Sequence, residues 1–63
     1  MKITIEAARV NVKMTQKSAA AALGIARSTY SSYENGKTKP DVEMARKIAD
    51  LFGRTMDEIK FNQ

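Results

Sequence analysis

The sequence predicts an all-α domain of five short helices, and three local patterns support that prediction. Thr15 can cap a helix that ends at Gly24, since its hydroxyl can accept a bond from an N–H of the first turn and glycine suits the left-handed conformation after a helix. Apolar residues after Pro40 recur with the 3.6-residue helical period. Thr55 and Glu58 have the spacing of a capping box, which marks another helix start.

Composition limits the kinds of site that the chain can hold. Its 63 residues, assigned to one domain over residues 1–63, are near the lower limit for a self-sufficient core. The lack of cysteine excludes disulfides and thiolate sites, and the lack of histidine as well argues against zinc. Together with the absence of a phosphate-cradling glycine loop, this argues against an enzyme; no metal, cofactor or small-molecule substrate is expected.

No apolar run approaches the roughly 20 residues that span a bilayer, so no membrane segment is expected. The lack of cysteine fits a cytoplasmic protein.

Positive charge is concentrated in the first part of the chain. Residues 1–40 hold seven Lys/Arg against two Asp/Glu, a net +5, whereas residues 41–63 have a net −1. This asymmetry favours a polyanionic partner on one face, with an ordinary hydrated basic surface as the equally weighted alternative.

The first helix is predicted to follow Thr4 as N-cap and to run to about Asn11. Its inward stripe is expected to consist of Ile5, Ala8 and Val12. Arg9 falls on the same face, so it must lie at the margin of the stripe or have a partner.

The second and third helices together read as a helix-turn-helix over about residues 15–35. Ala19, Ala20 and Leu23 are expected to face inward from the second helix. The third helix is predicted over 27–34, and Tyr30 and Tyr33 fit core positions better than nucleotide-stacking ones.

Asp41 is the predicted cap of the fourth helix, which ends at Gly53. Its inward stripe is expected to be Val42, Ala45, Ile48, Ala49 and Phe52. A fifth helix is predicted to run to about Lys60, with Met56 and Ile59 inward and Phe61 close behind, and no strands are expected.

A candidate DNA-binding surface follows from these placements. Four residues lie on the exposed face of the third helix, where side chains can read base edges: Arg27, Ser28, Ser31 and Ser32. Five others can hold the phosphate backbone, at the start of the second helix or in the loop after the third: Gln16, Lys17, Asn35, Lys37 and Lys39. An ordinary hydrated loop is the alternative for the last two lysines.

The combined pattern resembles the Cro and phage-repressor helix-turn-helix family over about residues 3–61. The matching segments are Thr15-Gln16, Leu23-Gly24-Ile25, Arg27-Ser28-Thr29-Tyr30, Tyr33-Glu34-Asn35-Gly36-Lys37, Pro40, Ile48-Ala49 and Phe52-Gly53. The resemblance implies a five-helix, lambda-repressor-like domain that binds double-stranded DNA as a homodimer. It also implies an ion pair between Arg9 and Glu34, a brace from Gln16 to Arg27, and a dimer contact around Arg54 and Met56.

Three positions depart from the family's usual residues. Ala26 stands where a Ser or Thr cap is common, which removes roughly 1 kcal/mol from the third helix. Ala19 replaces a common leucine, and Lys13 replaces a common glycine. We therefore expect a fold of modest stability.

The leading hypothesis is a sequence-specific transcriptional regulator, most simply a repressor of a palindromic operator. The alternative is a protein-interaction module on the same fold, such as an antitoxin or antirepressor. The basic first part of the chain, with Asn35 and Lys37, favours DNA.

Overall fold

A computed structural model describes residues 1–61 and is mainly helical. Four α-helices follow a two-residue strand: β1 Ile3–Thr4, α1 Ile5–Asn11, α2 Gln16–Leu23, α3 Arg27–Glu34 and α4 Val42–Leu51. A 3-10 turn, Met56–Glu58, and a second strand, β2 Ile59–Lys60, complete the order. Asn62 and Gln63 lie outside the described residues.

Side-chain caps at the starts of three helices explain where those helices begin. The Thr4 and Thr15 hydroxyls each accept a bond at 3.0 Å, from the N–H of Ala7 and of Ser18 respectively. The Asp41 carboxylate accepts one from the N–H of Met44 at 2.8 Å. These bonds confirm the three predicted N-caps.

The sequence also explains the end of α2 and the uncapped start of α3. Gly24 ends α2 in the left-handed conformation, with φ of 73°. Ala26 precedes α3 without any side-chain cap bond, as its methyl group dictates.

The buried residues form one cluster, to which every α-helix and β2 contribute. Its largest fully buried side chains are those of Tyr30, Phe52, Ile5, Ile48 and Ile59, and its buried alanines are Ala8, Ala19, Ala20 and Ala49. Because each alanine buries little apolar area, this core buries less apolar surface than the same number of larger side chains would. Leu23 and Tyr33 pack against it while partly exposed.

Two valines predicted to be inward are exposed. Val12 is 41% exposed and Val42 is 68% exposed. Val12 follows the last residue of α1, where the chain turns away at Lys13, and Val42 occupies the first turn of α4. Helical periodicity identifies the correct face in each case but does not reveal where the core ends along it.

The predicted fifth helix is wrong, and so is the prediction of no strands. Only Met56–Glu58 is helical, as a 3-10 turn, and Glu58 accepts the N–H of Thr55 at 2.8 Å in the expected capping arrangement. The next residues extend into a parallel pair in which Ile59 lies opposite Ile3 and Lys60 opposite Thr4. This pairing places the Ile59 side chain in the core at 1% exposure, which favours extension over a further helical turn.

Within residues 1–61, no helix combines the length and apolar character needed to cross a membrane.

Candidate nucleic-acid interface

The turn between α2 and α3 is fixed by backbone bonds to the end of α2. The N–H of Gly24 donates to Ala21 O, and the N–H of Ile25 donates to Ala20 O, each at 3.1 Å. Ile25 also packs on the core, as a residue after a helix-ending glycine commonly does. The start of α3 therefore has a defined position relative to α2.

The first turn of α3 is open to solvent. Arg27, Ser28 and Thr29 are exposed, whereas Ser31 and Ser32 are partly buried. The Ser32 hydroxyl donates to Thr29 O at 2.7 Å, so its hydrogen is already engaged within the helix. Thr29 was not singled out from the sequence, although its exposure beside Ser28 places it on the same accessible turn.

One carboxylate at the end of α3 gathers side chains from all three N-terminal helices. Glu34 Oε2 accepts the Arg9 Nε–H and the Tyr30 hydroxyl, both at 2.6 Å. Its Oε1 accepts the Gln16 amide at 2.9 Å and a longer bond from Arg9 Nη2 at 3.4 Å. The Arg9 Nη1–H donates to Met14 O at 2.9 Å, which also ties the turn before α2 into this Glu34 cluster.

The Glu34 cluster is held in its ionised form. Burial of Glu34 opposes ionisation, but bonds from Arg9, Tyr30 and Gln16 outweigh it and lower the pKa of the carboxyl. The bond to Glu34, opposed by burial, raises the pKa of Arg9. Burial, followed by the bond to Glu34, raises the pKa of the Tyr30 phenol. The cluster therefore contains a carboxylate, a guanidinium and a neutral phenol at neutral pH.

Gln16 lies at the first position of α2 and bonds to Glu34. The family resemblance implies a brace from Gln16 to Arg27. In the structure the Gln16 amide donates to Glu34 instead. Nothing in the sequence pattern distinguishes these two partners, because both lie on α3. Lys17, the next residue, is exposed.

The loop after α3 is ordered by backbone bonds and carries exposed amide and ammonium groups. The N–H of Lys37 donates to Ser32 O at 3.0 Å and to Asn35 Oδ1 at 3.1 Å, and the N–H of Thr38 donates to Ser32 O at 3.2 Å. Asn35, Lys37 and Lys39 are exposed. The loop thus presents two lysines on a fixed backbone next to the Glu34 cluster.

The two residues predicted at the dimer contact lie around the 3-10 turn. Arg54 Nη1 lies 3.9 Å from Glu58 Oε2, with both side chains substantially exposed. Met56 is partly buried against the core. The structure contains one chain, so the dimer role of Arg54 and Met56 stays a prediction.

Comparison with known proteins gives a consistent family. A helix-turn-helix family model matches residues 5–59. An HTH-type transcriptional regulator of Bacillus subtilis (strain 168), AnsR, is 51% identical over 37 residues, which are 59% of this chain and 32% of that protein. This chain therefore aligns with about a third of the Bacillus protein's length.

Two archaeal relatives match over 94% of this chain. An uncharacterized HTH-type transcriptional regulator of Methanocaldococcus jannaschii is 36% identical over 59 residues, 89% of its length. One of Archaeoglobus fulgidus is 34% identical over 59 residues, 83% of its length. No solved structure matches the chain. Since the family model covers nearly the whole chain, the protein belongs to the helix-turn-helix family, in its Cro and phage-repressor type.

Proposed function

We propose that this protein is a sequence-specific DNA-binding transcriptional regulator. The observation that supports this best is the exposed first turn of α3, a helix that is fixed to α1 and α2 through Glu34. Lys17, next to Gln16, and Lys37 and Lys39, in the loop after Glu34, are also exposed. A helix that projects from a rigid support can enter the major groove, which is wide enough to admit it. Names of relatives that describe HTH-type transcriptional regulators support the same function.

Base reading is assigned mainly to Arg27. It is exposed in the first turn of α3, and a guanidinium can donate two bonds to O6 and N7 of guanine. Ser28 is exposed beside it, while the partly buried Ser31 and Ser32 contact a base only where the groove wall approaches the helix. Serine accepts several base partners, so Arg27 carries most of the discrimination.

Phosphate binding is assigned to groups near the end of α3, around Glu34. The Gln16 side-chain amide donates one N–H to Glu34, so its second N–H is available for a phosphate oxygen. Lys17 follows Gln16, and in the loop after Glu34 the Asn35 amide and the Lys37 and Lys39 ammonium groups can bind the DNA backbone. These contacts set the register of α3 without reading sequence.

The protein acts as a homodimeric repressor in this proposal. One eight-residue helix reads few base pairs, so a symmetric pair gains specificity on a palindromic operator with half-sites about 34 Å apart. Arg54 and Met56 are the proposed contacts between the two copies, and occupation of a promoter in the cytoplasm is sufficient for repression without a cofactor.

Selection from a random-sequence DNA pool tests the proposal. We expect recovery of a two-fold symmetric site with a guanine in each half. Recovery of unrelated sequences would contradict sequence-specific reading, and an asymmetric single site would contradict the dimer. Binding of a protein partner with no DNA affinity at low salt would instead support the interaction module.

A further inference from the structure

Lys13 joins α1 to α2 in an unusual backbone conformation. Its φ is +61°, and it is the only residue other than glycine with a positive φ among residues 1–61. A side chain makes this left-handed conformation costly, and glycine removes that cost. The turn itself is held by the N–H of Lys13, which donates to Val10 O at 2.9 Å.

The turn at Lys13 is fixed next to the end of α3. The guanidinium of Arg9 donates both to Met14 O and to Glu34, and the amide of Gln16 donates to the same carboxylate. Met14 and Gln16 therefore lie beside Glu34. Glu34 is the residue directly before the loop that begins at Asn35. Lys13 directly precedes Met14, so its long, exposed side chain belongs to this end of the molecule.

The charges around this point suit a polyanion. Segments 13–17 and 35–39 contain no acidic residue, and their four lysines are all exposed: Lys13, Lys17, Lys37 and Lys39. The neighbouring carboxylate of Glu34 is only 5% exposed and is paired with Arg9. Exposed lysine ammonium groups attract phosphate when they lie in two segments that meet at the same buried ion pair and contain no acidic side chain.

We propose that Lys13 is a further DNA-phosphate contact, and that lysine at this turn gives DNA affinity in exchange for fold stability. The inference rests on the proposed DNA-binding function. It adds Lys13, in the turn before α2, to the proposed phosphate contact at Lys17. It assigns a function to a lysine that stands where the backbone conformation favours glycine.

Two substitutions separate charge from backbone strain. Lys13→Gln removes the charge and keeps a side chain in the left-handed conformation, whereas Lys13→Gly removes both. Lys47→Gln is the matched control, because Lys47 is exposed in the groove formed with Ala22 and Leu23, at the opposite end of α2 from the proposed contact. Fluorescence anisotropy with a mixed-sequence duplex of about 20 base pairs, over a series of salt concentrations, needs no knowledge of the operator.

We expect both Lys13 variants to bind the duplex roughly 3- to 10-fold more weakly per protomer near 0.1 M salt. The negative slope of log K against log salt should become shallower by about 0.9 for each lost contact. Lys13→Gly should also raise the Tm, whereas Lys13→Gln should not. Lys47→Gln should leave the slope unchanged.

Three results would overturn the inference: full affinity in Lys13→Gln, full affinity in a more stable Lys13→Gly, or an equal loss in Lys47→Gln. Any of these, obtained with a wild-type protein that binds DNA, leaves the proposed function in place. A folded wild-type protein that binds no duplex even at the lowest salt would overturn both.

Discussion

The guanidinium of Arg9 and the carboxylate of Glu34 are 2.6 Å apart and connect the last turn of α1 to the last residue of α3. Their side chains are only 12% and 5% exposed, so this is not a surface ion pair. Since Gln16 and Tyr30 bond to the same carboxylate, Glu34 sets the relative positions of α1, α2 and α3.

Glu34→Gln should strongly destabilise the fold. It leaves the guanidinium of Arg9 without its counter-charge at a largely buried position, a change that typically costs about 3–5 kcal/mol. A protein of this size has a total stability of only about 3–9 kcal/mol. Urea denaturation followed by circular dichroism should therefore show a large loss or a protein that is unfolded at 25 °C.

The matched control replaces Glu34 together with its ion-pair partner Arg9 and its phenol partner Tyr30. Apolar residues of similar size in the triple variant Arg9→Met, Tyr30→Phe, Glu34→Leu leave no buried charge, so stability should be close to wild type or above it. A triple variant as unstable as Glu34→Gln would show that Glu34 acts through something other than charge pairing.

Stability should fall on acidification because of Glu34. Its pKa is lowered in the folded protein, so the unfolded state binds more protons in acid. The stabilisation is complete above the unfolded pKa of about 4.3 and is lost as pH drops through the folded value. Thermal unfolding between pH 7 and pH 2 should show a smaller acid loss in the triple variant than in wild type; parallel curves would refute the assignment.

Ala26→Ser should stabilise α3. Residue 26 already has the extended backbone of an N-cap, with φ −68° and ψ 149°, but supplies no side-chain bond. A serine hydroxyl there can accept an N–H of the first turn, which is worth about 1 kcal/mol and raises the Tm by roughly 4–8 °C. Ala21→Ser, at an exposed position inside α2, is the control and should be neutral or destabilising; equal effects of the two serines would argue against capping.

Arg27→Ala and Lys37→Ala should weaken DNA binding in different ways. Loss of the Arg27 guanidinium should cost about 1–3 kcal/mol on the selected operator and relax preference at one base pair in each half-site. Loss of the Lys37 charge should weaken binding to operator and random DNA alike and flatten the salt dependence. Gel-shift titrations on both DNAs at several salt concentrations distinguish the two; equal losses on both DNAs for Arg27→Ala would count against base reading.

Much of the helical layout follows from local sequence. Thr4, Thr15 and Asp41 begin helices where their side chains reach the third following N–H, and Gly24 ends α2 where a left-handed residue is needed. These signals act within one turn of chain, so they can be read without tertiary information. The presence of Arg9 in an apolar stripe likewise indicated a partner, because an isolated buried charge is too costly.

Contacts between distant residues decided the rest. Ile59–Lys60 is extended because it pairs with the backbone of β1. The local sequence near Thr55 does not predict this pairing, because β1 lies at the other end of the chain. The Gln16 side chain bonds to Glu34, which is 18 residues away in sequence, because the packing of α2 against α3 brings the two together. The sequence by itself therefore determined where the four α-helices lie, through short-range capping and periodicity. Only the tertiary structure decided where the apolar stripes end, how the last segment is used and which groups share Glu34, because these depend on distances between parts of the chain far apart in sequence.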